Sequence, residues 1–198
     1  MATFDQCLKK IQEDSSIALE CLSLLQAALS RNSTAPLRDC EGKTALFKKS
    51  EAELTESITR LAKENQTYRA YLSIPPLLLR IGEQIERLCE IVNKKISDDI
   101  LFSDRAISEL STLFDKLKEA LKSTSDLLAT KNPVLIKHIT ECENDIAVKA
   151  LEYGTQHEER LIEGLCLTIA SPLFLNILNS VRCIAWDAKE IALKFKVS

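Results

Sequence analysis

The chain has 198 residues, 45% hydrophobic and 28% charged, with only four Gly and five Pro. That length can bury a core in one domain spanning 1–198, and few breakers beside abundant Leu, Ala, Glu and Lys make an all-helical class the expectation. A formal charge of −3 argues against a nucleic-acid partner, since phosphate neutralisation needs clustered cations, although a local basic patch is compatible with that average.

Apolar residues at helical spacing (Phe4, Leu8, Ile11, Ile17, Leu22, Leu25, Leu29) predict a first helix over 4–31. The polar run Arg31 to Ala35 and then Pro36 should end it. A second helix is expected from about Lys43 to Leu72, through Leu46, Leu54, Ile58 and Leu61. Ile74-Pro75-Pro76 predicts a turn, because Pro75 disfavours helical geometry at Ile74 while Pro76 suits a first helical turn. The third helix follows from about Pro76 to Ile96. Ser103 is the expected N-cap of a fourth helix carrying Ile107, Leu110, Leu113, Leu117, Leu121 and Leu127. Asn132-Pro133 repeats the cap logic for a fifth, which ends at Gly154, at Gly164 or, kinked, as late as Ser171. A sixth helix runs from Pro172 to about Lys194.

An internal echo organises these six. Pro76-Leu77-Leu78-Leu79-Arg80-Ile81 returns, near half a chain later, as Pro172-Leu173-Phe174-Leu175-Asn176-Ile177. The register then holds, with Ile85 over Val181, Leu88 over Ile184 and Cys89 over Ala185. A half-length repeat means two copies of one supersecondary unit. The expected architecture is a tandem pair of three-helix bundles, 4–97 and 103–195, with short connections making neighbours antiparallel.

The seven cysteines contain no C-x-x-C pair, which argues against a zinc knuckle. Their odd number and the lack of a signal-peptide pattern fit a reducing cytoplasm. The longest apolar stretch, Leu165 to Leu178, is interrupted by Ser171, Pro172 and Asn176, and is too short for about 30 Å of hydrocarbon. No nucleophile–base arrangement, G-x-S-x-G or Gly-rich phosphate loop stands out, so the chain reads as no enzyme.

The tandem three-helix layout resembles the PhoU-like family of phosphate-transport regulators. Glu141-Cys142-Glu143-Asn144-Asp145-Ile146 is similar to the E-x-E-x-D pattern in the middle helix of such repeats, with Ser50-Glu51-Ala52-Glu53-Leu54 as a looser counterpart. Gln84-Ile85-Glu86-Arg87-Leu88-Cys89-Glu90 resembles the family's E-R-I-G-D stretch. The resemblance implies a cytoplasmic, non-enzymatic adaptor, peripheral to the inner membrane through a partner that is a phosphate transporter or a sensor kinase. It also implies a route to iron, zinc or another divalent metal, which some members bind through E-x-x-x-D motifs.

Glu86 and Glu90 lie four apart on one helical face and are candidate metal ligands, with a solvated acidic face as the plainer reading. In the second copy their places are taken by Arg182 and Trp186, which bind no cation. Glu141, Glu143 and Asp145 crowd negative charge into little more than one turn, which a metal, a basic partner or water and salt would relieve. His138, one turn before Glu141, joins this side as either a ligand or an ordinary surface histidine. Trp186 reads as core, with a partner-binding anchor as the sharper option. A metal-binding bundle with a carboxylate site, an unrelated helical scaffold and a homodimer all stay open.

Overall fold

The computed structural model describes residues 3–196, the side chain of residue 41 excepted. Among these it contains six long helices and no strand. They are α1 (Phe4–Arg31), α2 (Ala35–Glu64), α3 (Ile74–Ser97), α4 (Asp104–Thr130), α5 (Val134–Ile162) and α6 (Ser171–Leu193).

Local chemistry sets most of the boundaries. Thr3 and Gln6 form a reciprocal capping box at the start of α1, and Asn32 closes that helix in the left-handed region at φ 48°. Ser103 caps α4, its hydroxyl oxygen accepting from the Ala106 N–H at 3.2 Å. Pro133 takes the cap position of α5, one residue later than expected, and Asn132 before it accepts from the Val134 N–H at 3.1 Å. Gly164, at φ +72°, takes the residue after α5 through a left-handed turn, and the Leu165 N–H bonds back to the Arg160 carbonyl at 2.8 Å. Of the three expected ends of the fifth helix, Gly164 is therefore the effective one. Gly154 lies inside α5 against Leu175 and Leu178.

Two expectations about proline need correction. The second helix starts at Ala35, not Lys43, because Pro36 occupies its first turn, where a missing N–H costs nothing. It ends at Glu64, and Gln66–Ser73 forms a 3₁₀ segment, not a continuation. Ile74 is helical (φ −70°, ψ −47°) despite the following proline, so no turn separates that segment from α3. Complete burial of Ile74 favours this geometry against the weak backbone preference.

Helices α1, α2 and α3 pack on one another, as do α4, α5 and α6. Contacts of α1 with α4 and of α3 with α6 join the two groups, leaving α2 and α5 on the flanks. Polar clasps fix both seams. Gln26 of α1 donates to Ser111 at 2.8 Å and accepts from Lys118 at 2.6 Å on α4, and Arg87 of α3 donates to Asn176 of α6 at 2.8 Å.

The sequence echo coincides with the central pair. Leu78, Ile81, Ile85, Leu88 and Val92 of α3 are at most 2% exposed, and Phe174, Ile177, Val181, Ile184 and Ala188 of α6 are all 0% exposed. Both helices thus bury the same register, and one hydrophobic cluster spans the two groups. The adjacent Leu77 and Leu173 are each 8% exposed, so two of the three residues in each apolar run are buried, while Leu79 and Leu175 are half-buried.

The stretch Thr168–Leu193 is, by length and composition alone, apolar enough to cross a membrane, which the sequence reading had not anticipated. Its apolar face is the core of this bundle, and the segment carries Asp187 ion-paired to Arg80 of α3. Trp186 is 40% exposed and sits under the Arg80 guanidinium, 5.0 Å from the ring centroid. It is therefore not core: the α6 stripe that faces α3 passes through Ala185 and Ala188, turning residue 186 outward.

Candidate functional site

The acidic residues singled out in the sequence fall at separate places. Glu86 and Glu90 stand one turn apart on the outer face of α3. With Thr44 of α2, Cys89 and Asn93 they line an open groove of about 240 Å³. Cys89 forms part of its floor, and its thiol approaches that of buried Cys40 at 3.2 Å.

On α5 the crowded carboxylates diverge, because residues two apart on a helix point to opposite sides. Glu141 is exposed, with Lys137 at 3.6 Å. Asp145 lies 3.6 Å from Lys116 of α4. Glu143 turns inward, is 8% exposed, and accepts from Lys189 of α6 at 2.8 Å. Lysines on three helices thus offset the charge that looked uncompensated in the sequence. The structure does not bring Glu86 and Glu90 together with the α5 carboxylates. His138 turns from Glu141 toward α4, where its Nε2 lies 3.0 Å from Glu119 Oε1.

A different site emerges at the end of the bundle where α4 starts and α5 passes to α6. A largely apolar cavity of about 310 Å³ opens there, lined by Leu101, Phe102, Ala106, Leu167, Phe174 and His157 among others. His157 is only 2% exposed, and its ring stacks on Phe174 with centroids 4.7 Å apart. Neither ring nitrogen has a hydrogen-bond partner. Burial, reinforced by the nearby Arg160 cation, lowers its pKa, so the imidazole is held neutral. Beneath it Arg160 makes a two-pronged pair with Glu109, at 2.9 and 2.8 Å.

The rim of this cavity is unusually apolar for a surface. Leu101, Leu165 and Leu167 line it while being 61%, 66% and 53% exposed, and Ile162 and Ile169 of the same connection are exposed as well. Single exposed leucines need no explanation, but a cluster around a concave site marks a place where another molecule can bury apolar area. Chemically the site offers apolar contact and one neutral imidazole, which can give or take one hydrogen bond. The sequence did carry a signal for it. Leu165, Leu167 and Ile169 follow Gly164 with period two, which no α-helix buries on one face, although the same residues also open the longest apolar stretch.

A scan of family sequence models finds no match to this chain, and a search of curated proteins finds none either. Solved structures do match. The chain is similar to the crystal structure of PhoU from Pseudomonas aeruginosa, with a TM-score of 0.82 at 12% identity, over 97% of this chain and 94% of that one. It is also similar to a PhoU-like phosphate regulatory protein from Shewanella oneidensis MR-1, with a TM-score of 0.57, 16% identity and coverage of 95% and 96%. A second PhoU-like protein from the same organism gives 0.58, 15%, 95% and 96%. At such identities the likeness is one of fold, and it extends over nearly the whole chain.

Proposed function

From the PhoU-like fold that this chain carries, we propose that it is a non-enzymatic regulator of inorganic phosphate uptake. It acts on the cytoplasmic side by contact with a membrane transporter or a sensor kinase, and no nucleic acid takes part. The observation that carries this reading is the match to PhoU across 97% of the chain, with both ends of the fold included. A likeness confined to one helical hairpin would be common among bundles; six helices in the same order and placement are a far stronger constraint.

The apolar rim supports contact as the mode of action. Leu101, Leu165 and Leu167 offer a partner both exposed area and a concave receptacle. Interfaces draw most of their energy from a few residues in well-packed, desolvated pockets, and the cavity inside this rim is such a pocket for a side chain of the partner. Binding there shifts the partner's conformational balance only if one of its states presents a better fit, which is how an adaptor without chemistry can regulate.

The test is phosphate uptake in cells lacking the gene, complemented either by the natural chain or by Leu165→Glu/Leu167→Glu. The reading expects uptake to lose its response to external phosphate in the deletion and regain it with the natural chain. The double variant, whose changes lie on exposed positions, should fold but fail to restore control. Uptake regulated normally in the deletion strain would refute the function. Full complementation by the double variant would refute the rim as the contact.

A further inference from the structure

Away from the cavity and from the Glu86–Glu90 groove, the seam between α4 and α5 gathers three different metal-ligating side chains at one point. Glu119 projects from α4, and His138 and Cys142 stand one turn apart on α5. His138 Nε2 lies 3.0 Å from Glu119 Oε1 and 3.7 Å from Cys142 Sγ, and the three ligand atoms all fall within 4.8 Å of one another. Cys142 forms a buried floor at 1% exposure, whereas the side chains of His138 and Glu119 are 40% and 44% exposed, so an ion can enter from solvent.

We propose that Glu119, His138 and Cys142 bind a single zinc-class divalent cation, leaving its fourth coordination position open to water or to a donor from a partner.

The spacing of the donors is the first argument. Tetrahedral zinc with bonds of about 2.0–2.1 Å to N and O and about 2.3 Å to S sets neighbouring donors about 3.3 Å (N to O) and about 3.5 Å (N to S) apart. The two separations from His138 differ from those edges by a few tenths of an ångström, and the Glu119 and Cys142 donors lie within 4.8 Å of each other, so one ion fits once the side chains draw together around it. Without an ion the three side chains are held together by hydrogen bonds, the His138 ring nitrogen and the Cys142 thiol both lying against the Glu119 carboxylate, and a divalent cation would take the place of the protons they share.

The donor set is the second argument. One nitrogen, one sulfur and one oxygen suit a borderline-soft ion such as Zn²⁺, and disfavour Mg²⁺ and Ca²⁺, which take oxygen throughout. The surroundings balance the charge. Lys116 lies 3.2 Å from Glu119 Oε2 and 3.6 Å from Asp145 Oδ2. It occupies the other oxygen of Glu119, leaving Oε1 for the ion. With Cys142 as thiolate, the two carboxylates, Lys116 and a divalent ion sum to zero. Binding forms the metal–sulfur bond and releases the Cys142 proton to solvent. None of Glu86, Glu90, Glu141, Glu143 and Asp145 supplies a ligand.

The full chain, stripped with chelator and reduced, is titrated with Zn²⁺ against a chromophoric zinc indicator, and separately with Co²⁺ by absorption. The expected result is one high-affinity equivalent, with a thiolate-to-cobalt charge-transfer band and the intense d–d absorption of a four-coordinate ion. Cys142→Ser should abolish the charge-transfer band. His138→Gln and Glu119→Gln, both at solvent-accessible positions and so compatible with folding, should weaken Zn²⁺ binding by at least the about 10–100-fold that loss of an outer-shell partner costs. Glu86→Gln/Glu90→Gln should leave it unchanged. Less than one bound equivalent would overturn the site, and so would undiminished affinity in His138→Gln, which would assign any bound zinc to other thiols. These readouts involve no partner, so they stand or fall independently of the regulatory function.

Discussion

At the residue scale, the buried charges are the most sensitive points of the molecule. Asp14 is 0% exposed, and its Oδ1 accepts from the Ser50 hydroxyl at 2.8 Å while Oδ2 has no hydrogen-bond partner. Burial pushes its carboxyl up to about 6, against the opposing effects of Ser50 and Lys10. Because the folded state holds this proton more tightly than the unfolded chain, the group's cost to stability is absent below the ordinary value near 3.8 and complete above about 6. Asp14→Asn keeps the acceptor and removes the charge. It should therefore raise stability at pH 7.5 by up to about 2–3 kcal/mol, with the advantage disappearing as pH falls to 4. Thermal melts of both proteins across that range measure it, and an advantage independent of pH would count against a buried ionised carboxyl. The opposite case is Glu109, 6% exposed and bound by both prongs of Arg160. Glu109→Ala leaves a buried guanidinium without its partner and should cost about 3–5 kcal/mol, read as the midpoint shift in urea. Little of this was legible in the sequence. Glu109 looks like any surface glutamate and Glu143 like one of three crowded carboxylates, and their arginine and lysine partners lie 51 and 46 residues away. His138 was marked as a candidate ligand, but Glu119 could not be joined to it before α4 and α5 were laid side by side.

At the element scale, spacing and caps carried the reading well where one local signal dominated. The first helix, the Ser103 cap, the start of α5 and the last helix all lie within a residue or two of where periodicity and capping chemistry put them. Misreadings arose where one residue type has two uses. Pro36 and Pro75 can end a helix or sit in its first turn, and only packing decides; here both begin helices. Trp186 was placed in the core by its apolar neighbours, but a shift of one residue on a helix turns the side chain by about 100°. Close approach of elements was also invisible in the sequence. Gly82 admits Phe47 so tightly that an added Cβ would lie 2.6 Å from Phe47 Cγ. Gly82→Ala should therefore destabilise the α2–α3 contact by about 1–3 kcal/mol, although alanine is the better helix former. In a Phe47→Ala background, which removes Cγ and the ring though not Cβ, Gly82→Ala should cost less. Chemical denaturation of the single and double variants decides it, and additive losses would show that the two residues do not collide.

At the scale of the whole molecule, the two helical groups share one hydrophobic cluster, with α3 and α6 at its centre and polar clasps on both seams. Neither group can lose its fold without exposing the other's core, so unfolding should be a single cooperative transition. Trp186 is the only tryptophan and lies on α6, whereas far-ultraviolet circular dichroism sees all six helices. The two signals should give coincident urea curves; a fluorescence transition separated from the helical one would mean that the halves melt independently. The half-length echo was the strongest sequence evidence for this architecture, and it proved to be the buried register of the two central helices. The cavity rim is what that architecture leaves outside, since Leu165 and Leu167 of the connection from α5 to α6 stay exposed while Ala170 is buried against Ile100 and Leu173. A photo-crosslinking residue at position 167, introduced into cells grown in high and in low phosphate, tests regulation by contact most directly. The account predicts a covalent adduct with a phosphate transporter or sensor subunit whose yield changes with phosphate supply. Adducts with neither class of protein, or the same adducts at the same yield under both conditions, would contradict it.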